Sequence, residues 1–312
     1  MPDVLALAGG VGGAKLAFGL ASLLPPDRLT VVVNTGDDDA FHGLHVSPDI
    51  DTVVYTLAGK ANRETGWGRQ QDTFAALDAL SELGAETWFR LGDRDLALHI
   101  RRTQLLREGH TLSEVTRDVC QRFGVEHAIV PMSDNAIRTV VETDQGVMSF
   151  QEYFVLHHSE PRVRRLVFKG IERATPSPWF EMAWQRADAL VICPSNPFLS
   201  VDPILSIPGA RNALASINGV RIAVSPIIGG KAVRGPAAKL FEQLGGGPAD
   251  CVGVARRYAG LCTHLVIDRV DQALAPQIAA LGIKPVVENT LMQTDDDRIE
   301  LARAVLAVCE TG

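Results

Sequence analysis

Cysteine is scarce in this sequence, and its spacing excludes two ways of stabilising a fold. The five cysteines lie far apart and never form a C-x-x-C pair: Cys120, Cys193, Cys251, Cys262 and Cys309. An odd number of scattered cysteines argues against a disulfide framework and against a thiolate metal site. We therefore expect buried thiols without a special role, in a reducing, cytoplasmic location.

The sequence also lacks an excess of positive charge and any long apolar run. Lys and Arg total 30 against 37 Asp and Glu, which gives a formal charge of −7. Nucleic-acid-binding proteins usually carry a basic excess, and anionic membrane surfaces attract basic segments, so neither partner is expected. No apolar run approaches the ~20 residues of a membrane span. The apolar stretch at 4–14 follows no basic residue, so it is interpreted as a buried first strand and glycine turn rather than a signal sequence.

What is present is the composition of a folded soluble protein. Hydrophobic residues make up 46% and charged residues 21% of the 312 residues. These values exclude disorder, collagen and coiled coil as descriptions of the whole chain. The length is about twice the ~150 residues that serve as a guide for one domain, so a large domain with an insertion is expected.

The hydrophobic pattern predicts alternating strands and helices at both ends of the chain. An apolar run at 4–8, a glycine turn, a helical pattern at 14–23 and a β-branched run at 31–33 form a predicted βαβ unit. Strand-like runs recur at 189–193, 220–224, 264–267 and 285–287, each followed by a helical pattern or a loop. Continuous apolar strands of this kind are typical of parallel sheets covered by helices on both faces.

The middle of the chain follows a different pattern. Helical segments are predicted near 72–83, 95–108 and 112–123, followed by a β-hairpin that joins 138–141 to 147–150. We therefore predict a single α/β domain over 1–312 with a mainly helical insertion at about 72–185. The fold class is a Rossmann-like three-layer α/β/α arrangement with a mostly parallel, doubly wound sheet.

The loop after the first strand is G-G-V-G-G-A-K at 9–15. Glycines let the backbone approach a ligand, and the start of a helix favours a phosphate, so phosphate or nucleotide contact is favoured over a tight structural turn. The loop is not a P-loop, because Leu16 occupies the position of the metal-binding hydroxyl. It is not a dinucleotide fingerprint either, because Lys15 replaces the last glycine, and this makes a nicotinamide-dependent oxidoreductase a distant alternative.

The loop after the second predicted strand is rich in carboxylates. Asp37, Asp38 and Asp39 are followed by Asp49 and Asp51 at the start of a predicted helix. Grouped carboxylates are costly unless a hard cation neutralises them, and Mg²⁺ is commonly held by one or two carboxylates together with substrate phosphates. The alternative is a solvated acidic loop in which Asp49 or Asp51 caps the helix.

Three further loops are candidates for ligand contact. Trp88, Phe89 and Arg90 combine two aromatic rings with a cation, which suits either a flat ring and a phosphate or a salt-bridged helix start. Pro194-Ser195-Asn196-Pro197 follows a strong strand, and the segment 225–236 contributes glycines, Lys231 and Arg234 before a helix, which favours an anion site over a solvated basic turn. The pairs His42/His45 and His157/His158 carry little signal. Phosphate-binding loops and an acidic loop at one crevice indicate phosphoryl or nucleotidyl chemistry.

The order and the residue identities of several motifs in these segments resemble those of a known family. They are the motifs at 9–15, N-T-G-D-D at 34–38, H-G-L at 42–44, S-P-D-I-D-T at 47–52, G-W-G at 66–68, L-G-D-R-D at 91–95, S-N-P at 195–197 and the segment 225–235. In combination they resemble the 2-phospho-L-lactate transferase family of deazaflavin coenzyme F-420 biosynthesis.

The resemblance implies a magnesium-dependent transferase, with a homodimer as the family expectation. Its donor is a three-carbon phospho-acid (phospholactate, phosphoenolpyruvate or phosphoglycerate) linked to guanosine through a diphosphate. Its acceptor is the terminal ribityl hydroxyl of the deazaflavin Fo, and GMP is released. By matching positions, it implies Asp37 and Asp51 as catalytic Mg²⁺ ligands, and Asp51 and Arg90 as contacts to Fo. The implied donor-binding residues are Gly10, Gly12, Gly13, Lys15, Ser195, Asn196, Lys231 and Arg234.

One departure and one rival accompany this resemblance. At Ser133-Asp134-Asn135, relatives often carry two acids after the serine, so the role of this loop is open. A related family of uridine-sugar-nucleotide-binding regulatory proteins shares the glycine-rich start and the sheet, and it predicts nucleotide binding without turnover. Asp51 and the motifs at 66–68 and 91–95 favour the transferase.

Overall fold

The computed structural model describes residues 1–233, 235–245 and 247–311. Its strands are β1 (Val4–Ala8), β2 (Leu29–Val33), β3 (Asp39–Phe41), β4 (Leu44–Val46), β5 (Ala128–Pro131), β6 (Arg138–Thr143), β7 (Gly146–Ser149), β8 (Val163–Lys169), β9 (Ala189–Ile192), β10 (Arg221–Val224), β11 (Ile227–Ile228), β12 (Lys231–Ala232), β13 (His264–Asp268) and β14 (Lys284–Glu288).

The helices alternate with these strands. They are α1 (Gly10–Leu23), α2 (Pro48–Leu57), α3 (Ala75–Glu82), α4 (Asp93–Arg107), α5 (Leu112–Arg122), α6 (Pro178–Arg186), α7 (Asp202–Ser206), α8 (Ala210–Ala215), α9 (Ala237–Leu244), α10 (Cys251–Arg257), α11 (Ala275–Ala279) and α12 (Asp295–Thr311). Two π-helical turns lie at Glu152–Leu156 and Pro197–Val201. Among the described residues, no helix combines the length and the apolar character that a bilayer crossing requires.

A seven-stranded sheet organises the chain, in the order β14-β13-β10-β9-β1-β2-β5. Every neighbouring pair in it is parallel. Successive side chains of a strand point to opposite faces, so Leu5 and Leu7 pack into one apolar core while Ala6 and Ala8 pack into the other. Helices cover both faces, and the predicted three-layer α/β/α fold is confirmed.

The middle of the chain, predicted as a mainly helical insertion at about 72–185, contains strands as well as helices. Helices α3, α4 and α5 precede β5, and β5 pairs with β2 at the edge of the main sheet, so this stretch is not one separate unit. The predicted hairpin is confirmed as the pair β6 and β7, but β8 adds a third antiparallel strand. This small sheet and the π-helical turn that follows β7 lie within the part predicted to be mainly helical.

The order of the main sheet determines where a ligand can bind. From β1 the chain proceeds to β2 and β5 on one side, whereas β9, β10, β13 and β14 build the other side. In open α/β sheets, ligands bind at the carboxyl ends of the strands, where the direction of winding reverses. In this protein that position is the gap between the loops after β1 and β9.

Candidate active site

A cavity of about 700 Å³ opens at this position. Ligand pockets typically enclose about 300–1,000 Å³. The loops after β1, β2, β9, β10 and β14 contribute to its wall, and the following residues line it: Gly9, Gly10, Val11, Gly12, Lys15, Asp37, Pro48, Asp49, Thr52, Trp67, Trp88, Phe89, Arg90, Phe150, Gln151, Phe154, Val155, His158, Pro194, Ser195, Asn196, Leu199, Ser200, Ser225, Pro226, Ile228, Val233, Gly235, Pro236, Ala237, Thr290, Leu291 and Met292. Segments far apart in the sequence therefore meet at one site.

The glycine loop has both a packing role and a cavity-facing role. A Cβ on Gly12 would stand 2.3 Å from the carbonyl oxygen of Pro194, and one on Gly13 would stand 2.5 Å from Ser195 Oγ. The absence of side chains therefore lets α1 pack directly against the loop after β9. Gly10 and Gly12 also line the cavity, whereas Gly13 is buried beneath Ser195. Gly10 and Gly12 therefore reach the cavity directly, and the donor contact of Gly13 stays a prediction.

Two carboxylates are held together by one amide. Asn34 follows β2, and its Nδ2 donates to Asp37 Oδ1 at 3.1 Å and to Asp49 Oδ2 at 3.0 Å. Asp49 Oδ1 also accepts a hydrogen bond from the backbone N–H of Gly10 at 2.6 Å, at the start of α1. Both carboxylates are buried and line the cavity. We call Asp37 and Asp49 the acid pair.

Burial raises the pKa values of both members of the acid pair. It raises the pKa of Asp37 well above the ordinary value, and repulsion from Asp49 and Asp38 adds to this effect. Burial also raises the pKa of Asp49 to about 6, although hydrogen bonds from Asn34 and Gly10 oppose the rise. The pair therefore retains a proton more readily than exposed aspartates do, and a bound cation would relieve the same repulsion.

Asp51 does not belong to the acid pair, and its role as a Mg²⁺ ligand and Fo contact stays a prediction. Its carboxylate is buried and forms a two-pronged ion pair with Arg102, whose Nη1 lies 3.0 Å from Asp51 Oδ2 and whose Nη2 donates to Oδ1. His99 lies against the same guanidinium. Asp49 lines the cavity from α2, whereas Asp51, two residues further on, is turned towards α4 and is not a lining residue.

Aromatic rings form part of the cavity wall. Phe89 stacks on Phe41 with ring centres 3.8 Å apart, and Trp88 meets both rings edge-on. Trp67 remains 45% exposed and Phe154 40% exposed. Exposed rings at the mouth of a cavity provide apolar surface that a flat ligand would cover.

Arg90, predicted to contact Fo, lines the same cavity. Its guanidinium carbon lies 4.3 Å from the centre of the Phe74 ring, so the side chain is supported by a cation–π contact. Its neighbours in sequence, Trp88 and Phe89, belong to the aromatic wall. The structure therefore brings the cation and the rings of this segment to one side of the site.

The predicted donor-binding residues do not all meet. Lys15 lines the cavity, and its Nζ donates to the carbonyl oxygen of Met292 at 2.5 Å. Ser195 Oγ accepts a hydrogen bond from Gly9 N at 3.0 Å, and Asn196 caps the π-helical turn at Pro197–Val201. Lys231 is an exposed residue of β12 and does not line the cavity, so its contact with the donor stays a prediction. Arg234 lies outside the described residues.

The loop at 133–135 has structural contacts. Ser133 Oγ donates to the carbonyl oxygen of Thr175 at 2.6 Å, and Asn135 Oδ1 accepts a hydrogen bond from Thr175 N at 3.0 Å. Asp134 Oδ1 accepts one from Ser113 N near the start of α5. These contacts join the end of β5 to its neighbours, and none of the three residues lines the cavity.

A magnesium ion fits the acid pair. Within residues 1–233, 235–245 and 247–311, no group of three or more His, Cys, Asp or Glu side chains is arranged as a metal site. Mg²⁺, however, commonly takes only one or two carboxylates and completes its shell with water and substrate phosphates. The buried, mutually repelling carboxylates of Asp37 and Asp49 supply that pair, and neighbouring Asp38 adds a buried Oδ1 with no hydrogen-bond partner among the described residues.

Several lining residues were not predicted as site residues. The segment after β7 supplies Phe150, Gln151, Phe154, Val155 and His158, and the loop after β14 supplies Thr290, Leu291 and Met292. The cavity-facing residues at 150, 151, 154, 155 and 158 follow helical spacing, which is a signal the sequence does contain. Asn34 and Asp49 were visible in the acidic region, but the amide bridge between carboxylates was not.

Comparison with known proteins identifies the family of this chain. Residues 4–305 match the family described as 2-phospho-L-lactate transferase CofD. The chain is 40% identical over 308 residues to the 2-phospho-L-lactate transferase of Methanosarcina acetivorans, covering 99% of each chain. It is also 40% identical over 313 residues to the phosphoenolpyruvate transferase of Streptomyces griseus, covering 98% of each.

A solved structure resembles the fold at much lower identity. A member of the UPF0052 family from Bacillus halodurans superimposes with a TM-score of 0.65 at 15% identity, covering 98% of this chain and 100% of that one. At this identity the likeness supports the architecture alone. The family match over nearly the whole sequence goes further: the chain belongs to the 2-phospho-L-lactate transferase family and is a transferase.

Proposed function

We propose that this transferase moves a phospho-three-carbon-acid group from a guanosine diphosphate-linked donor to the terminal ribityl hydroxyl of the deazaflavin Fo. The hydroxyl oxygen attacks the phosphorus that bears the acid, the bond from that phosphorus to the oxygen bridging it to GMP breaks, and GMP leaves. The products are F-420 without its glutamate tail, or the dehydro or glycerate form, and GMP. A cytoplasmic homodimer is the proposed working form, and sedimentation equilibrium measures its subunit number.

The observation that carries this proposal is the acid pair, bridged by Asn34 on the floor of an aromatic-walled cavity. Phosphoryl transfer depends mainly on positioning and charge neutralisation, with little covalent help from the protein. Asp37 and Asp49 would hold Mg²⁺, which when bound neutralises charge on the transferred phosphate. Asn34 keeps both carboxylates directed into the cavity, and either carboxylate is available to orient the attacking hydroxyl.

Other residues supply the binding surfaces in this proposal. Arg90 and the rings of Trp88 and Phe89 suit a flat deazaflavin with a polar tail. Gly10, Gly12, Lys15, Ser195 and Asn196 line the cavity at the switch between β1 and β9, where a phosphate would meet the start of α1. The donor's diphosphate is therefore assigned to this side. Arg234 remains a proposed donor contact on its sequence position.

The identity of the three-carbon acid is a matter for direct assay. Relatives named for phospholactate and for phosphoenolpyruvate share 40% identity with this chain. The purified protein would be incubated with Fo, Mg²⁺ and each guanylylated acid in turn, and deazaflavin product and GMP would be measured. We expect turnover with at least one donor and its loss in EDTA.

A calorimetric titration with Fo separates this function from its rival. Binding of Fo together with turnover supports the transferase. Failure to bind Fo, with binding of a uridine sugar nucleotide instead, would contradict it and favour a regulatory protein. Turnover that persists in EDTA would remove Mg²⁺ from the proposal while leaving the transfer itself intact.

A further inference from the structure

The segment that follows β7 forms one side of the cavity. Phe150, Gln151, Phe154, Val155 and His158 all line it, and the rings of Phe150 and Phe154 stack with centres 5.4 Å apart. Gln151 Nε2 donates to the backbone carbonyl oxygen of Asp37 at 3.0 Å. The segment is therefore attached directly to the loop that carries one member of the acid pair.

The backbone at the end of this segment is strained. His158 has φ of 49° and Ser159 has φ of 58°, two consecutive non-glycine residues in the left-handed region. Residues other than glycine adopt this region at a cost in free energy. Such a conformation persists only where the surrounding structure enforces it. In this protein the strained turn places His158 at the cavity, whereas the preceding His157 is not a lining residue.

A single lysine holds this turn in place. Lys239 Nζ, in α9, donates to the carbonyl oxygens of Ser159 at 2.5 Å, Glu160 at 2.8 Å and Pro161 at 3.3 Å. Ser159 N donates in turn to the carbonyl oxygen of Tyr153 at 2.8 Å. Three consecutive carbonyls converging on one ammonium fix the path of the chain immediately after His158.

The charges that line the cavity indicate what the imidazole meets. Asp37 and Asp49 are acidic, and the proposed donor adds phosphate and carboxylate charges of the same sign. Among the described lining residues, the basic side chains are Lys15, Arg90 and His158. Lys15 bonds the carbonyl of Met292, and Arg90 rests over Phe74 in the segment with the aromatic rings. On the side of the cavity formed by the segment after β7, the N–H of an imidazole is suited to bind an oxyanion.

We propose that His158 contacts the donor substrate, with its imidazole donating a hydrogen bond to a phosphate or carboxylate oxygen, and that Lys239 is the positioning residue that holds it there. This inference rests on the proposed function for the identity of the donor. Its binding test uses GDP and the complete donor as probes and does not require turnover.

The test compares His158→Ala with the matched control His157→Ala. Loss of a charge-assisted hydrogen bond should weaken donor binding by about tenfold or more, measured as the KM for the donor and the Kd for GDP, while the KM for Fo changes little. Weakening of both donor and GDP binding identifies a phosphate contact, and weakening for the complete donor alone identifies the carboxylate. Equal behaviour of the two alanine variants, or an effect confined to Fo, would overturn the proposal.

Two further variants separate this role from a folding defect. Glycine adopts positive φ readily, so His158→Gly should melt at least as high as the wild type and still lose donor affinity. Lys239→Met should weaken binding of the complete donor, and in a double-mutant cycle with His158→Ala the two effects should not add. Additive effects would contradict the positioning role of Lys239. A wild type that binds GDP and the complete donor without transferring to Fo would refute the proposed function, and comparing the Kd values of both probes between the variants would still decide the role of His158.

Discussion

Asp37 and Asp49 share one hydrogen-bond donor, the Nδ2 atom of Asn34, at 3.1 and 3.0 Å. These carboxylates come from a loop and from a helix, so their approach depends on a side chain that is itself fully buried. A neutral amide satisfies both acids without adding charge, and their repulsion is left for a cation to neutralise. The bridge therefore holds two mutually repelling carboxylates together, as the proposed Mg²⁺ site requires.

Removal of this bridge should affect both stability and metal dependence. Asn34→Ala leaves two buried carboxylate oxygens without their donor, which should lower the free energy of unfolding by about 1–3 kcal/mol. The Mg²⁺ concentration that gives half-maximal activity should rise. Urea unfolding and a magnesium titration measure the two effects. Asn212→Ala, at an exposed position of α8, is the control and should stay within about 0.5 kcal/mol of the wild type.

The acid pair should make metal-free stability depend on pH. Since burial raises the pKa of Asp49 to about 6, its contribution is most favourable below the unfolded value of about 4 and is lost as pH rises through about 6. In EDTA, the free energy of unfolding of the wild type should therefore fall over this range relative to that of Asp49→Asn. Added Mg²⁺ should reverse the difference, because the ion binds the folded state. Parallel curves for wild type and variant would contradict this assignment, and Asp27→Asn, an exposed change, is the control.

Asp37→Asn should abolish magnesium-dependent turnover while leaving the fold intact, as judged by circular dichroism and the melting temperature. The amide removes one of the two charges that would hold the cation. Near-wild-type rates would exclude Asp37 from the metal site. Asp39→Asn is the neighbouring control, because Asp39 does not line the cavity and its carboxylate bonds the N–H of Ala40.

The ion pair between Asp51 and Arg102 should be structural. Arg102→Met leaves a buried carboxylate uncompensated and should cost about 3–5 kcal/mol of stability. The double variant Asp51→Leu/Arg102→Met removes both charges and should recover most of that loss. It should also bind Fo with nearly wild-type affinity in calorimetry. A stable double variant that no longer binds Fo would instead support the predicted contact between Asp51 and Fo.

Arg90→Ala should weaken binding of Fo more than binding of the donor. The side chain lines the cavity beside the aromatic wall, and loss of one charged contact should raise the KM for Fo about tenfold. Arg94→Ala is the matched control, because this exposed arginine of α4 does not line the cavity. Equal losses for Fo and donor with Arg90→Ala would assign it a structural role.

The fold was predictable because its strands are short, continuous apolar runs. Residues 4–8, 31–33 and 189–192 are buried on both faces, so their pattern directly indicates a parallel sheet between helices. The edge strand β5 was less visible because it follows three helices and precedes a second sheet. Its four residues, Ala-Ile-Val-Pro, form a shorter apolar run than the first strand and end in a proline, so they do not stand out as a strand of the main sheet.

The choice between Asp49 and Asp51 shows what the motif alone leaves undetermined. Residues two apart on an α-helix point about 200° away from each other, so one of them must turn from the cavity. The side that faces the acidic loop depends on how α2 packs and on Arg102, which lies 51 residues after Asp51. The position of His158 at the cavity was not predicted for a related reason. It depends on a left-handed backbone conformation, and the segment contains no glycine that would indicate one.

The pairing of β1 with β9 also has a consequence for how this protein forms. The hydrogen bond from Gly9 to Ser195 joins residues 186 apart in the chain. Contacts of such long range are slow to form, because the entropy of closing a large loop is lost before the contact contributes. The glycine loop therefore lacks its opposite wall until the second half of the chain is synthesised. A nascent chain that ends before β9 contains the acid pair but lacks the loop that closes the cavity, so a ligand of this cavity can stabilise only the late stages of folding.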